Sequence, residues 1–195
     1  MIQNNIIRQV RSKPNVGASH PGIWIDWQAQ GSRLSGNVIY DIDHDALELE
    51  MNHGPTLIDN NVIVGSNTWD ASEHSIFVHN LFVNHGWTFA ASDARSAGYF
   101  KPHTTAQAGT QTHASADNRY FNNLYIDRGS DGISQAPGYQ CDYNVLYGTA
   151  NKSSWGDSHS VVKASVNAAF SISSLPNGAT ISLTADSSPR DVAAR

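Results

Sequence analysis

The chain has 195 residues, 39% of them hydrophobic and 15% charged, with a formal net charge of −5. That balance is globular, and the length allows one domain with a sizeable core. The 12 Lys and Arg residues are scattered, which argues against a nucleic-acid partner, and no apolar run approaches the ~20 residues of a membrane span. The single Cys141 excludes an intrachain disulfide and reads as a lone buried thiol. No charged segment followed by an apolar core marks a signal peptide, and the compartment stays open.

The chain enters at once on a strand-like segment, Gln3-Asn-Asn-Ile-Ile, and the motif returns along the sequence. Asn5, Asn37, Asn61, Asn80, Asn123 and Asn144 each open an apolar pair, at intervals of 32, 24, 19, 43 and 21 residues. The interval of 43 reads as two coils, one with a degenerate Asn. A period near 20–24, rich in Val, Ile, Asn and Gly and without helical periodicity, predicts an all-β, right-handed parallel β-helix over residues 1–159. Leucine-rich repeats share the length but not the leucine spacing or the helix. Stacked Asn side chains at a turn bond to those above and below, which satisfies buried amides along the coil axis. A coil that begins on a rung exposes an apolar end and an unpaired edge. The expectation is a piece of a longer β-helix, or an upstream domain or second copy covering that end.

The first two full coils carry the informative acids. Aligned on Asn37 and Asn61, Gly22-Ile-Trp-Ile-Asp-Trp-Gln28 lies over Ala46-Leu-Glu-Leu-Glu-Met-Asn52. Period-two alternation sends Ile23, Ile25 and Trp27 inward with Leu47, Leu49 and Met51. It sends Trp24, Asp26 and Gln28 outward with Glu48, Glu50 and Asn52. Asp26 and Glu50 each stand eleven residues before their Asn, so a parallel stack sets them one strand spacing apart, ~4.8 Å. Carboxyl groups ~5–5.5 Å apart are what a retaining glycosidase needs. Like charges that close separate in proton affinity, leaving one acid and one carboxylate. Trp24 supplies a ring for the C–H face of a sugar, and Gln28, Glu48 and Asn52 supply polar contacts.

Further along, Asp41-Ile-Asp-His-Asp45 resembles part of a calcium loop, but the Gly and the bidentate Glu are missing, and a solvated turn is expected. His53 in Asn52-His-Gly-Pro55 either binds substrate hydroxyls or caps the turn. A long Ala/Thr/Gln-rich connection between Asn80 and Asn123 holds Lys101-Pro-His-Thr-Thr105. Such excursions wall a binding face, which makes Lys101 and His103 candidate ligands for hydroxyls. The nine histidines show neither helical His spacing nor neighbouring Cys pairs, so no metal site or cofactor is expected. A nucleophile elbow for Ser-His-Asp chemistry is missing. From residue 160 the pattern changes. Ala168-Ala-Phe-Ser-Ile-Ser and Ala179-Thr-Ile-Ser-Leu-Thr flank Leu175-Pro-Asn-Gly, which predicts a short antiparallel segment over 160–195 with a polar tail.

Gly22 to Gly31, with Leu47 to Pro55, His79-Asn-Leu-Phe82 and Lys101 to Thr105, resembles the active-site stretch of glycoside hydrolase family 120. The resemblance covers roughly residues 1–150. It implies a β-xylosidase on a right-handed parallel β-helix, acting on xylo-oligosaccharides. It also implies Asp26 as nucleophile and Glu50 as general acid/base. Family members are several times longer and carry substrate-contacting residues upstream of the nucleophile. Two other classes fit the residues: a β-helix polysaccharide lyase with calcium-bound acids and a Lys or Arg base, and a solenoid that binds carbohydrate without turning it over.

Overall fold

The structure, a computed structural model, describes residues 1–13, 20–27, 29–90, 92–101, 103–165, 168–187 and 189. Its strands are short, and corners separate them. The residue before each ladder Asn (Asn4, Gly36, Asn60, His79, Asn122 and Tyr143) has φ between 54° and 65°. One left-handed residue turns the chain without a long loop, and Asn, Gly and His tolerate that conformation better than β-branched residues do. The run of Val, Ile, Leu, Phe and Tyr that follows then re-enters a sheet.

Three sheets result, all with parallel pairing. Sheet A holds Ile2–Gln3, Ser32–Ser35, Thr56–Asp59, Ser75–Val78, Arg119–Phe121 and Gln140–Asp142. Sheet B holds Ile6–Val10, Val38–Ile42, Val62–Val64, Leu81–Val83, Leu124–Ile126, Val145–Tyr147 and Val161–Lys163. Sheet C holds Ile23–Asp26, Asp45–Glu50, Asn67–Ala71 and Gly86–Phe89. The chain visits A, B and C in turn four times before it departs from that order. The protein is thus all-β with parallel sheets, and its one 3₁₀ turn among the described residues is Ser130–Gly132.

Register places like on like in the interior. Leu34, Ile58, Phe77, Tyr120 and Cys141 form one column of partners, and Ile39, Ile63, Phe82, Tyr125 and Leu146 another. All ten are buried, each aliphatic or aromatic one contributing ~1.5–3 kcal/mol. Phe77 stacks on Tyr120 at 5.1 Å with an interplanar angle of 8°. Burial pushes the Cys141 thiol up, so it is an inert core group.

A continuous amide ladder runs beside these columns. Each of Asn5, Asn37, Asn61, Asn80 and Asn123 donates its backbone N–H and its Nδ2 to Oδ1 of the next, at 2.9–3.3 Å. Asn144 closes the series on Ser160 Oγ at 2.7 Å and Asp157 Oδ1 at 2.9 Å. The expected degenerate coil between Asn80 and Asn123 does not exist, since Leu81–Val83 pairs directly with Leu124–Ile126. Much of the intervening chain is an antiparallel hairpin, Ser92–Phe100 with Gln107–Ala114. A second hairpin, Ala169–Leu175 with Gly178–Thr184, packs beside sheet B. There Phe170 meets the Val145–Tyr147 cluster, and Tyr40 and Ser174 share a hydroxyl hydrogen bond of 2.7 Å.

Candidate active site

Sheet C carries the acids. Ile23, Trp24, Ile25 and Asp26 are register partners of Leu47, Glu48, Leu49 and Glu50. Ile23, Leu47 and Leu49 are buried in the core, so alternation turns Trp24, Asp26, Glu48 and Glu50 to the outer face. Asp26 and Glu50 therefore stand side by side, each the last residue of its strand. The next strand sets Trp69 beside Glu48 and Ala71 beside Glu50. One row across the sheet is Trp24, Glu48, Trp69; the next is Asp26, Glu50, Ala71. Aromatic rings thus flank the acids on one side.

Strand termination decides the rest of the site. Trp27 and Met51 both have positive φ, 36° and 53°, and alternation stops at the acids. Trp27 is 44% exposed, which corrects its expected inward position. Asn52 is fully buried and donates from Nδ2 to the Ile25 carbonyl at 2.8 Å, so it pins the two strand ends together instead of facing a ligand. Glu48 is buried between the two Trp strands, at 8% exposure, whereas Trp24 is 50% exposed. Gln28 lies outside the described residues.

The hairpin completes the site with a residue that sequence reasoning missed. The Arg95 guanidinium is hydrogen-bonded to Glu50 Oε1 and lies over the Trp27 ring, 5.1 Å from its centroid. Asp26 Oδ1 accepts the Trp27 backbone N–H at 2.8 Å. Arg95 therefore joins the acid/base candidate to the residue beside the nucleophile candidate. It sits in an inserted hairpin with no repeat period, so no spacing signal marked it. Trp69 stands eleven residues before Asn80, as Asp26 and Glu50 do before their Asn, yet register sets it beside Glu48 and gives Ala71 to the row of the acids.

His53 is buried, with Nδ1 2.7 Å from Glu73 Oε1 and Nε2 3.3 Å from the Ala97 carbonyl. Both nitrogens face acceptors, so His53 anchors the hairpin rather than offering a free donor. Gln30 is a second anchor: it donates to the Gly54 carbonyl at 3.0 Å and accepts the Phe100 N–H at 2.5 Å. Lys101 and His103 stand at the hairpin tip on a cleft of about 1080 Å³, together with His53, Gln30 and Phe100. The structure thus gathers Trp24, Asp26 and Glu50 on sheet C and Lys101 and His103 on the adjoining cleft.

The expected solvated turn over Asp41–Asp45 holds in part. Asp41 and Asp43 are exposed and pair with Arg11 at 2.7 and 3.2 Å. Asp45 is buried beside His44 at 2.9 Å, and desolvation raises its proton affinity. His44, Asp45 and Glu48 bring one ligand atom each within 4.8 Å of one another.

No protein-family model matches the chain, and no curated protein does. Among solved structures, the chain is similar to XylC in its complex with xylose, at 21% identity and a TM-score of 0.71. The match is one of fold. It covers 84% of this chain but 30% of XylC, so this chain spans about a third of that protein's length. No helix among the described residues is long and apolar enough to cross a membrane.

Proposed function

We propose that this chain is a right-handed parallel β-helix carrying a retaining glycosidase site for β-xylosides. The observation that carries the reading is the register pairing of Asp26 with Glu50 on the outer face of the sheet beside half-exposed Trp24. Neighbouring strands lie ~4.8 Å apart, the order of separation at which one carboxylate attacks while the other serves as acid and then base. In this reading Asp26 attacks the anomeric carbon while Glu50 protonates the departing oxygen. Glu50 then takes a proton from water, which displaces Asp26 with net retention. Arg95 orients the Glu50 carboxylate, and Trp24 stacks on the sugar. The similarity in fold to XylC bound to xylose supports xylose as the sugar. The substrate is a short xylo-oligosaccharide cleaved at its terminal residue.

The test is aryl β-xyloside hydrolysis with the product anomer followed by NMR. First-formed β-xylose, loss of turnover in Asp26→Ala, and azide rescue of Glu50→Ala on an activated aglycone are expected. First-formed α-xylose would sink the retaining mechanism, and turnover surviving Asp26→Ala would remove the nucleophile. The Arg95–Glu50 contact favours a second reading, a β-helix polysaccharide lyase with Arg95 beside the acids. Calcium-dependent release of an unsaturated product from a polyuronate would establish that reading in its place. A binding module would hold sugar unchanged.

A further inference from the structure

The cleft at the hairpin tip is built from the segments that leave the two acids. Gln30 and Gly31 follow Asp26, His53 to Pro55 follow Glu50, and Phe100, Lys101 and His103 to Thr105 close it from the hairpin. The cleft thus begins within five residues of each acid along the chain. At about 1080 Å³ it stands at the upper end of ligand-site volumes, ~300–1,000 Å³, with room for more than one sugar ring.

Its available chemistry follows by elimination. Gln30 is spent on Gly54 and Phe100, and His53 on Glu73 and Ala97. His74 faces Asp117 at 3.7 Å, and Thr104 Oγ1 bonds the Lys101 carbonyl at 3.1 Å. Among the described residues that line the cleft, the side chains of Lys101, His103 and Thr105 are without a hydrogen-bond or ion-pair partner. Phe100 and Pro55 supply an apolar wall. That leaves an ammonium, an imidazole and the Thr105 hydroxyl at an apolar cleft. Four other cations of this acidic chain are ion-paired, Arg11 with Asp41, Arg33 with Asp59, Arg95 with Glu50 and Lys163 with Asp186; none of these four faces the cleft. No Asp or Glu lines the cleft beside Lys101, and a ligand's anionic group fits it.

We infer that this cleft is the leaving-group subsite and takes a pyranose bearing a carboxylate, a uronyl unit, with Lys101 on the carboxylate and Phe100 and Pro55 against the ring. A single ammonium matches a monoanion, and His103 adds a second donor. The sugar at Asp26 and Glu50 stays neutral, because two acids repel a carboxylate there. The site then acts on acidic xylo-oligosaccharides, releasing neutral xylose from a uronyl-bearing remainder. Placing the leaving group here rests on the glycosidase reading; the carboxylate preference does not.

The test is calorimetric titration of the full 195-residue chain carrying Asp26→Ala, with methyl β-D-glucuronide and methyl β-D-glucoside as probes. The two differ only in the carboxylate. The glucuronide is expected to bind about five- to tenfold tighter at low salt. The preference should vanish in Lys101→Ala, persist in Lys101→Arg and weaken as salt rises. The exposed turn position keeps both variants folded, which a melting curve checks. Equal affinities for the two probes, or a preference that survives Lys101→Ala, would overturn the subsite. Aryl β-xyloside turnover is read separately in the unsubstituted chain. Turnover without glucuronide preference sinks this inference alone; preference without turnover sinks the glycosidase reading alone.

Discussion

Asn80 donates its backbone N–H and its Nδ2 to one oxygen, Oδ1 of Asn123, at 3.0 and 3.1 Å across 43 residues of chain. The hairpin that intervenes leaves the stack unbroken, since lengthening a closed loop adds little entropy penalty, ~0.6 kcal/mol per doubling. Asn123 also donates to the Phe77 carbonyl at 2.9 Å. Asn123→Ala leaves two buried donors and one buried acceptor without partners, and its expected penalty is about 3 kcal/mol or more. Asn5→Ala, at the exposed end of the ladder, should lose less than ~1 kcal/mol. Urea unfolding of the two variants checks the contrast, and equal losses would contradict a ladder whose energy lies in its buried rungs.

Arg95 separates function from stability. Its side chain is 45% exposed and that of Glu50 13%, and a pair open on one side is worth on the order of 1 kcal/mol. Arg95→Ala should therefore lower the unfolding midpoint by only about 2–4 °C. The same change lets the Glu50 carboxylate turn away from Asp26, with an expected fall in kcat/KM on aryl β-xylosides of about 10–100-fold. Steady-state kinetics beside a melting curve tests both halves, and a variant with unaltered kinetics would reduce Arg95 to a surface contact.

Trp24→Ala tests the stacking face. A half-exposed ring adds little to the core, and stability should change by less than ~1 kcal/mol. Loss of a ring contact with sugar, worth about 0.5–1.5 kcal/mol, should raise KM by about three- to tenfold, with kcat changed far less. Substrate-saturation curves decide it. An unchanged KM would place the sugar away from Trp24 and shift attention to Trp69.

Two buried groups give the stability profile opposing slopes with pH. Burial pushes the Asp70 carboxyl up to about 6 from its ordinary 3.8, although Ser72, Asn118 and Tyr120 all donate to it. Its contribution is full below the unfolded value and lost as pH rises through about 6, on the order of 3 kcal/mol. Burial holds His85 down to about 4 from 6.5. Its contribution is full above 6.5 and lost as pH falls through about 4. Asp70→Asn removes the first term alone. The destabilisation it causes should be larger near pH ~4.5 than near pH ~7.5, measured by unfolding at both. A penalty that does not change with pH would mean that Asp70 keeps its ordinary proton affinity.

The ladder was legible in the amino-acid order because stacking demands the same residue at the same place in every coil. Asn5, Asn37, Asn61, Asn80, Asn123 and Asn144 could be picked out by that alone. The pairing of Asp26 with Glu50 was legible for the same reason, since a period of 24 residues fixes which residues become neighbours in a parallel stack. Where repetition stops, the sequence falls silent. Trp27 and Asn52 follow the alternation on paper, but the strands end at the acids and a left-handed residue turns each chain, so one ring goes outward and one amide inward. Arg95 reaches Glu50 across 45 residues from a hairpin that belongs to no coil. That contact was decided only by the anchors His53–Ala97 and Gln30–Phe100, because an insertion shares no period with the repeat and its position depends on what it packs against.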